Sequence, residues 1–277
     1  MLDLFQIAND NSPSLENRFS VLTSSASPEG RISMERFAEL VRREGRVTIN
    51  MRPMALISFL SLGSHQNTYE WAQSRAEESG RPAEEIVRER LGGFYERRTT
   101  FDRSFLNGEE LRYGALNAGG AGTTVYGDYC TVLRGELFEG AQIVAYLKSD
   151  SLKTYMKPDG TINEDLLHEE SASHSHRDLF AVLKHALELP SGHEERWPTL
   201  LCSDFDFIEA IFSAKLLPSG IEAVRLKMSQ YKELFEFGFE NFRVKLTDER
   251  RTLVEAFVLI KKILRKKGIP LEVTTGA

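Results

Sequence analysis

The stretch RVTINMRP, residues 46–53, constrains the fold of this chain most, because its apolar side chains recur with a period of two. Val47, Ile49 and Met51 alternate with polar side chains, which is typical of a half-buried β-strand, and Pro53 ends the run. The stretch just before it, SMERFAELVRREG, has apolar residues at helical spacing. The chain is therefore restricted to folds that contain both helices and a sheet.

Segments of the two types follow one another without a regular repeat. Residues 66–98 are charged and have helical spacing, with stops at Gly80 and Gly92. Residues 111–135 contain two short apolar and aromatic runs on either side of a glycine-rich connection, which predicts a β-hairpin, and residues 141–151 are a further strand candidate. Helices grouped between strands predict an α+β fold rather than a regular α/β alternation.

The two ends of the chain differ from its middle. Residues 1–30 are rich in Ser, Asn and Pro and have little periodicity, so we expect a loosely structured leader that serves as a tether or a secretion signal. A short helix should follow from Ser33, as its N-cap, to Gly45, and residues 228–267 should be mostly helical. The predicted division is a leader with a short helix (1–45), a core (46–227) with a helical insertion (about 66–98), and a C-terminal helical segment (228–277).

Composition argues against several classes of protein. A net charge of -6 disfavours a nucleic-acid-binding surface, and two cysteines are too few for a disulfide framework or a thiolate zinc site. His168, His174 and His176 lie in a polar stretch whose spacing matches no common zinc pattern, so we expect no metal. No apolar run is long enough for a membrane helix. We expect a soluble monomer that binds neither nucleic acid nor a membrane.

The stretch LCSDFDFIEAIFSAKLL, residues 201–217, places the ionisable Glu209 in an otherwise apolar run. Ser203 and Asp206 have the spacing of a capping box, which favours an amphipathic helix with Glu209 on its wet side. Alternation instead gives a strand in which Phe205, Phe207 and Glu209 share one face. The pattern alone slightly favours the helix.

Four segments in this order resemble a bacterial family of mono-ADP-ribosyltransferases. They are VTINMRP at 47–53, RYGALN at 112–117, VYGDYCTVL at 125–133 and DFIEAIFSAKLLPSGIEAVRL at 206–226. The chain is most similar to the CteC-like group of threonine-specific enzymes, effectors that modify host ubiquitin. The resemblance covers roughly residues 46–226 and implies a split antiparallel β core with flanking helices.

The resemblance also implies which residues form the active site. Arg52 takes the position of the family's early-strand arginine and Glu209 that of its late-strand catalytic glutamate, which now favours the strand. The family's Ser-Thr-Ser triplet is absent after QIVAYL. The CteC-like group pairs an aspartate with the glutamate, and we prefer Asp150, then Asp206, then Asp128.

The implied chemistry uses NAD+ as a co-substrate and no metal. Glu209 would stabilise the oxocarbenium-like ribose, and Asp150 would orient the attacking hydroxyl or accept its proton. Arg52 would bind the NAD+ pyrophosphate through its planar donor fork, and Phe205 and Phe207 would flank the cleft into which Glu209 points. The further residues expected to contact NAD+ are Asn50, Tyr113, Gly114 and Tyr126.

The expected function is that of a secreted bacterial effector acting in the host cytoplasm. It would transfer ADP-ribose from NAD+ to a protein hydroxyl, most specifically a threonine of host ubiquitin, and so block ubiquitination. Two alternatives stay open: an NAD glycohydrolase toxin, in which water replaces the acceptor, and a non-catalytic effector that binds a host protein.

Overall fold

The computed structural model describes residues 1–140, 142–191, 193–240 and 247–275. In these residues eight strands form one sheet, and helices cover both of its faces. The strands are β1 (Arg46–Met51), β2 (Arg112–Asn117), β3 (Tyr129–Leu133), β4 (Val144–Leu147), β5 (Ser171–Ser173), β6 (Glu209–Phe212), β7 (Ile221–Lys227) and β8 (Leu271–Thr274). Their order is β5-β4-β6-β2-β1-β3-β7-β8, antiparallel except for the β7–β8 pair. The α+β prediction is confirmed.

The helices lie at the two ends of the chain and between the strands. They are α1 (Leu4–Asp10), α2 (Ser12–Ser25), α3 (Pro28–Glu44), α4 (Pro53–Leu62), α5 (Thr68–Ser79), α6 (Ala83–Leu91), α7 (Tyr95–Arg103), α8 (Ser151–Thr154), α9 (Glu164–Glu169), α10 (Arg177–His185), α11 (Trp197–Leu201), α12 (Met228–Glu240) and α13 (Asp248–Lys267). None of these described helices combines the length and the apolar composition needed to cross a bilayer. The helical prediction for the insertion is confirmed, because α5 ends at Gly80 and α6 ends at Gly92.

Each face of the sheet has its own apolar core, because side chains alternate along every strand. Val47, Ile49 and Met51 belong to the larger core, which includes residues of α3, α4, α10 and α13. Leu147 and Ile211 belong to a second core on the other face, built with residues of α1, α7 and α8. Polar residues of the functional site lie on this second face.

The N-terminal prediction is wrong. Residues 1–30 are largely helical, and Leu4, Ile7 and Leu15 are buried in the two cores. The helix expected from Ser33 begins earlier, at Pro28, with Ser27 as its N-cap, although its end at Gly45 is as predicted. Burial of a few apolar side chains in tertiary contacts stabilises helices that the polar local sequence does not indicate.

The hairpin prediction for residues 111–135 is also wrong, although both of its strands exist. β2 and β3 do not pair with each other, because β1 lies between them and pairs with both. Because β2 and β3 both run antiparallel to β1, the connection from residue 118 to residue 128 runs along β1 from its first residue to its last, Met51. Gly127 packs there so closely that a Cβ would lie 2.2 Å from the carbonyl carbon of Met51.

The sheet opens between β1 and β2. The described pairing of these strands covers Arg46–Thr48 and Ala115–Asn117, whereas the rest of β1 pairs with β3 and the rest of β2 pairs with β6. The two strands thus diverge like a fork. A cleft of about 280 Å³ lies at this opening, lined by residues of both strands and of the helical insertion.

Candidate active site

Glu209 begins β6 and lies on the second face of the sheet, between Ala115 of β2 and Leu147 of β4. Only 6% of the residue is exposed. The backbone N–H of Ser151 donates a hydrogen bond to its Oε2 at 2.8 Å. The strand prediction for Glu209 is confirmed, and the capped helix is wrong.

The capping-box pattern before Glu209 forms a turn instead of starting a helix. Ser203 Oγ accepts a hydrogen bond from the backbone N–H of Asp206 and donates one to its carbonyl oxygen. Serine side chains make such local bonds in turns as readily as at helix starts. The strand then begins because β2 and β4 supply partners on both of its edges.

Burial raises the pKa of Glu209 to about 7. The positive charge of Arg98 opposes this shift, the negative charge of Asp150 adds to it, and the bond from Ser151 lowers the pKa. Desolvation disfavours the charged carboxylate, and nearby charges then adjust the balance. Glu209 therefore exchanges its proton close to neutral pH, which suits a catalytic carboxylate.

The structure brings Asp150 close to Glu209. Asp150 precedes the short helix α8 and caps it, because its Oδ1 accepts a hydrogen bond from the backbone N–H of Lys153 at 3.0 Å. Its Oδ2 lies 3.5 Å from the hydroxyl of Tyr126. Asp150 thus combines a capping contact with a place beside Glu209.

The other two aspartate candidates lie elsewhere. Asp206 forms an ion pair with the buried Lys184, 2.5 Å between Oδ1 and Nζ, and is largely exposed. Lys184 also donates to the carbonyl oxygen of Phe207, which fixes this pair outside the Glu209 site. Asp128 accepts a hydrogen bond from the side chain of Gln230. Among the described contacts, none joins either aspartate to Glu209.

The helical insertion contributes a buried polar cluster that the sequence did not indicate. Asp102 of α7 is 1% exposed and accepts hydrogen bonds from the hydroxyls of Tyr69, at 2.7 Å, and of Tyr113. Arg98 lies 3.5 Å from the Asp102 carboxylate and 3.7 Å above the ring of Tyr113. Arg98 also acts on the charge of Glu209. This cluster fixes a guanidinium and an aromatic ring beside Glu209.

Arg98 and Asp102 were missed because their spacing is ambiguous. They stand four residues apart in RRTTFDR, which is the spacing of an ordinary exposed ion pair on a helix. The neighbouring Phe101 is fully buried and is the one local signal that this side of α7 faces the core. The apolar periodicity of α7 is too weak to show by itself that this side of the helix is buried.

The structure places some of the residues predicted to contact NAD+ near Glu209 and others away from it. Tyr113 and Tyr126 lie near Glu209, because the charge of Glu209 contributes to raising the pKa of both hydroxyls. Arg52 is exposed at the N-cap of α4, and within the described residues no hydrogen bond or ion pair joins its side chain to the Glu209 cluster. Gly114 has a packing role, because a Cβ there would lie 2.4 Å from the carbonyl oxygen of Thr48.

Asn50 organises the loop that carries Tyr126. Its Nδ2 donates to the carbonyl oxygens of Ala121, at 3.0 Å, and Gly127, at 2.9 Å, and its Oδ1 accepts from the backbone N–H of Thr123 at 2.9 Å. One side chain therefore satisfies three backbone groups of the loop. Asn50 therefore stabilises this loop and, through the loop, the position of Tyr126.

The Asn50→Ala variant should be less stable by about 2–3 kcal/mol, because three backbone groups lose their partner. Urea unfolding at pH 7 measures the change in free energy. Gln73→Ala removes an amide from an exposed position of α5 and should change stability by less than about 0.5 kcal/mol. Equal stability of the two variants would contradict the role given to Asn50.

The two phenylalanines expected to flank the cleft have different environments. Phe207 is buried against Ala115 and Cys202 and contacts the ring of Tyr126 edge-on, with centroids 6.4 Å apart. Phe205 is 97% exposed on the turn before β6 and lines a different cleft, with Ser203 and Asp204, that Glu209 does not line. The expectation is met in part for Phe207 and is wrong for Phe205.

The chain matches no protein-family model, no curated protein and no solved structure in comparisons with known proteins. Among the described residues, no group of three or more His, Cys, Asp or Glu side chains is arranged to hold a metal ion.

Proposed function

We propose that this protein transfers ADP-ribose from NAD+ to a hydroxyl of a protein acceptor. One observation carries the proposal: Glu209, a buried carboxylate that titrates near neutral pH, has Asp150 beside it and the guanidinium of Arg98 close by. The order of the segments that resemble ADP-ribosyltransferases supports it, since β1, β2 and β6 are far apart in sequence and adjacent in the sheet.

In the proposed reaction, the bond between ribose C1′ and the nicotinamide nitrogen breaks, and nicotinamide leaves with the bonding electron pair. Positive charge develops on the ribose, and the carboxylate of Glu209 stabilises it. The oxygen of the acceptor hydroxyl then bonds to C1′. Asp150 accepts the hydroxyl proton, a role for which its exposure at the edge of the site is suitable.

Aromatic side chains near Glu209 suit the binding of a planar ring. Tyr113 presents a ring held by Asp102 and covered by Arg98, and Tyr126 stands beside Asp150. Rings of this kind bind nicotinamide by offset or edge-on stacking. The proposed acceptor side of the site is the exposed rim formed by Tyr126.

The acceptor to test first is ubiquitin, because the sequence resembles threonine-specific enzymes that modify it. The protein is incubated with NAD+ and ubiquitin, and the intact mass of ubiquitin and the released nicotinamide are measured. Transfer adds one ADP-ribosyl group to ubiquitin. Nicotinamide release that no acceptor protein changes would indicate a glycohydrolase, and no turnover of NAD+ would indicate a non-catalytic binding protein; both results would contradict the proposal.

Asp150→Asn tests the role of the second carboxylate. Asparagine caps helices as well as aspartate does, so α8 should persist. Transfer to the acceptor should fall about a hundredfold, because the group that receives the hydroxyl proton is lost. Asp206→Asn is the matched control and should keep its activity, since Asp206 pairs with Lys184 away from Glu209. Equal loss in both variants would contradict the assignment of Asp150.

The pH dependence of NAD+ turnover follows from the raised pKa of Glu209. The ionised form stabilises the transition state, and it becomes the major form above about pH 7. We expect kcat/KM for nicotinamide release to rise about tenfold per pH unit below this value and to level off above it. Initial rates between about pH 5.5 and 8.5 measure the profile, and a flat profile would exclude a titrating Glu209.

A further inference from the structure

The cleft at the fork between β1 and β2 is lined by more cationic than anionic side chains. Its lining includes three arginines, Arg90 of α6, Arg98 of α7 and Arg112 of β2, together with His65 and Tyr113. Arg98 and Tyr113 also belong to the cluster beside Glu209. The cleft and the Glu209 site therefore share one wall.

Two of the three arginines have carboxylate partners. Asp102 pairs with Arg98, and both oxygens of Glu70 accept from Arg112 Nη2 at 2.6 Å. Arg112 is only 3% exposed, and its Nε has no hydrogen-bond partner in the described structure. His65 Nδ1, on the same lining, is buried without a partner as well. A buried polar atom without a protein partner can bond to an ordered water or to a ligand, and two such atoms belong to residues that line this cleft.

Arg90 has no carboxylate partner among the described residues. Its guanidinium lies 4.2 Å from the centre of the Trp71 ring, which holds it at the cleft. Arg90 is an exposed residue whose guanidinium is partly covered, which lowers its pKa, and no neighbouring charge opposes this shift. The charge of Arg90 is thus left over after Arg98 and Arg112 have been paired. An anion in the cleft would balance it.

We propose that this cleft binds a phosphoryl group of a nucleotide, with Arg90 as the principal contact. A guanidinium offers parallel donors that fit two oxygens of a phosphate, and the planar ring of Trp71 keeps the fork oriented. Through the wall shared with Glu209, the bound nucleotide would extend toward the catalytic carboxylate. The identification of this group with the pyrophosphate of NAD+ rests on the proposed function, and it replaces Arg52 as the predicted pyrophosphate contact.

Isothermal titration calorimetry with inorganic pyrophosphate, ADP-ribose and AMP tests the cleft without any turnover. Arg90→Gln should weaken pyrophosphate and ADP-ribose about tenfold or more, and Arg90→Lys, which keeps the charge but loses the fork, should weaken them less. Stronger binding of ADP-ribose than of pyrophosphate would identify the nucleotide as the source of the phosphoryl group.

Arg88→Gln is the matched control. Arg88 lies on the same helix, contacts the ring of Tyr95 at 3.9 Å and pairs with Glu96 on the surface, but does not line the cleft. Its substitution should leave the affinities within about twofold, since surface charges are screened by salt. No binding of pyrophosphate by the unaltered protein, or equal weakening by Arg88→Gln and Arg90→Gln, would overturn the proposal.

The cleft and the proposed function can fail separately. Pyrophosphate binding that depends on Arg90, in a protein that does not turn over NAD+, would support the cleft and overturn the proposed function. Turnover of NAD+ that depends on Glu209, with unchanged pyrophosphate and ADP-ribose affinities in Arg90→Gln, would overturn the cleft and support the proposed function.

Discussion

The Glu209→Gln protein is expected to lose at least about a hundredfold in kcat/KM for NAD+ turnover, while it becomes more stable than the unaltered protein above pH 7. Activity falls because the neutral amide cannot stabilise the positive charge that develops on the ribose. The amide oxygen can still accept the hydrogen bond from Ser151, so the local structure should be kept.

The gain in stability follows from the sign of the pKa shift. The pKa of Glu209 is raised from 4.5 in an unfolded chain to about 7 in the folded protein, so the folded state binds the proton more tightly. Stability is therefore lost as the pH rises from below 4.5 through about 7. Glutamine does not titrate and avoids this loss, which amounts to about 3 kcal/mol at full ionisation.

Two measurements separate the two effects. Urea unfolding at about pH 5 and pH 8 should show a stabilising effect of Glu209→Gln that is small at the lower pH and larger at the higher one. Asp165→Asn, an acid-to-amide change at an exposed position of α9, should keep its activity and show no such pH dependence. Full activity of the Glu209→Gln protein would contradict the catalytic role proposed for Glu209.

Arg98→Met is expected to destabilise the protein by about 3–5 kcal/mol, the second large effect. Arg98 is largely buried and neutralises Asp102, whose pKa burial raises. Without the guanidinium, the Asp102 carboxylate is left buried without a counter-charge, and Glu209 loses the positive charge that lowers its pKa. Thermal and urea unfolding measure the loss.

Arg88→Met provides a control of the same chemistry. Arg88 also lies over a tyrosine ring and pairs with a glutamate, but 57% of its side chain is exposed and its partner Glu96 is on the surface. Its substitution should cost less than about 1 kcal/mol. The double variant Arg98→Met/Asp102→Asn should recover part of the loss, because no unpaired charge remains. Equal costs at positions 88 and 98 would contradict the importance of burial.

Local sequence patterns correctly predicted those helices and strands that depend mainly on neighbouring residues in the chain. The alternation in VTINM gave β1, and glycine stops gave the ends of α5 and α6, because these features depend on the nearest residues. The same patterns could not assign strand partners. β2 and β3 were expected to pair with each other, yet an earlier strand separates them. Pairing depends on the packing of the whole sheet.

The carboxylates of the candidate site could be predicted from the sequence, but its arginines could not. Glu209 stood out because an ionisable residue in an apolar run is unusual, and Asp150 followed a recognisable strand. Arg90 and Arg98 belong to charged helices that resemble any exposed helix in sequence. Arg98 is largely buried and Arg90 faces the cleft because the insertion docks against β2, which no local pattern reveals.

The position of β6 in the sheet sets the order in which the site can assemble. Its neighbours β2 and β4 end 92 and 62 residues before β6 begins, so the central contacts join segments that are far apart in sequence. Folds with such contacts close late and slowly. Until residue 212 is available to the folding chain, the guanidinium groups of the insertion have no Glu209 beside them. A partly folded molecule that lacks β6 would keep the arginines of the cleft but not the carboxylate proposed for catalysis.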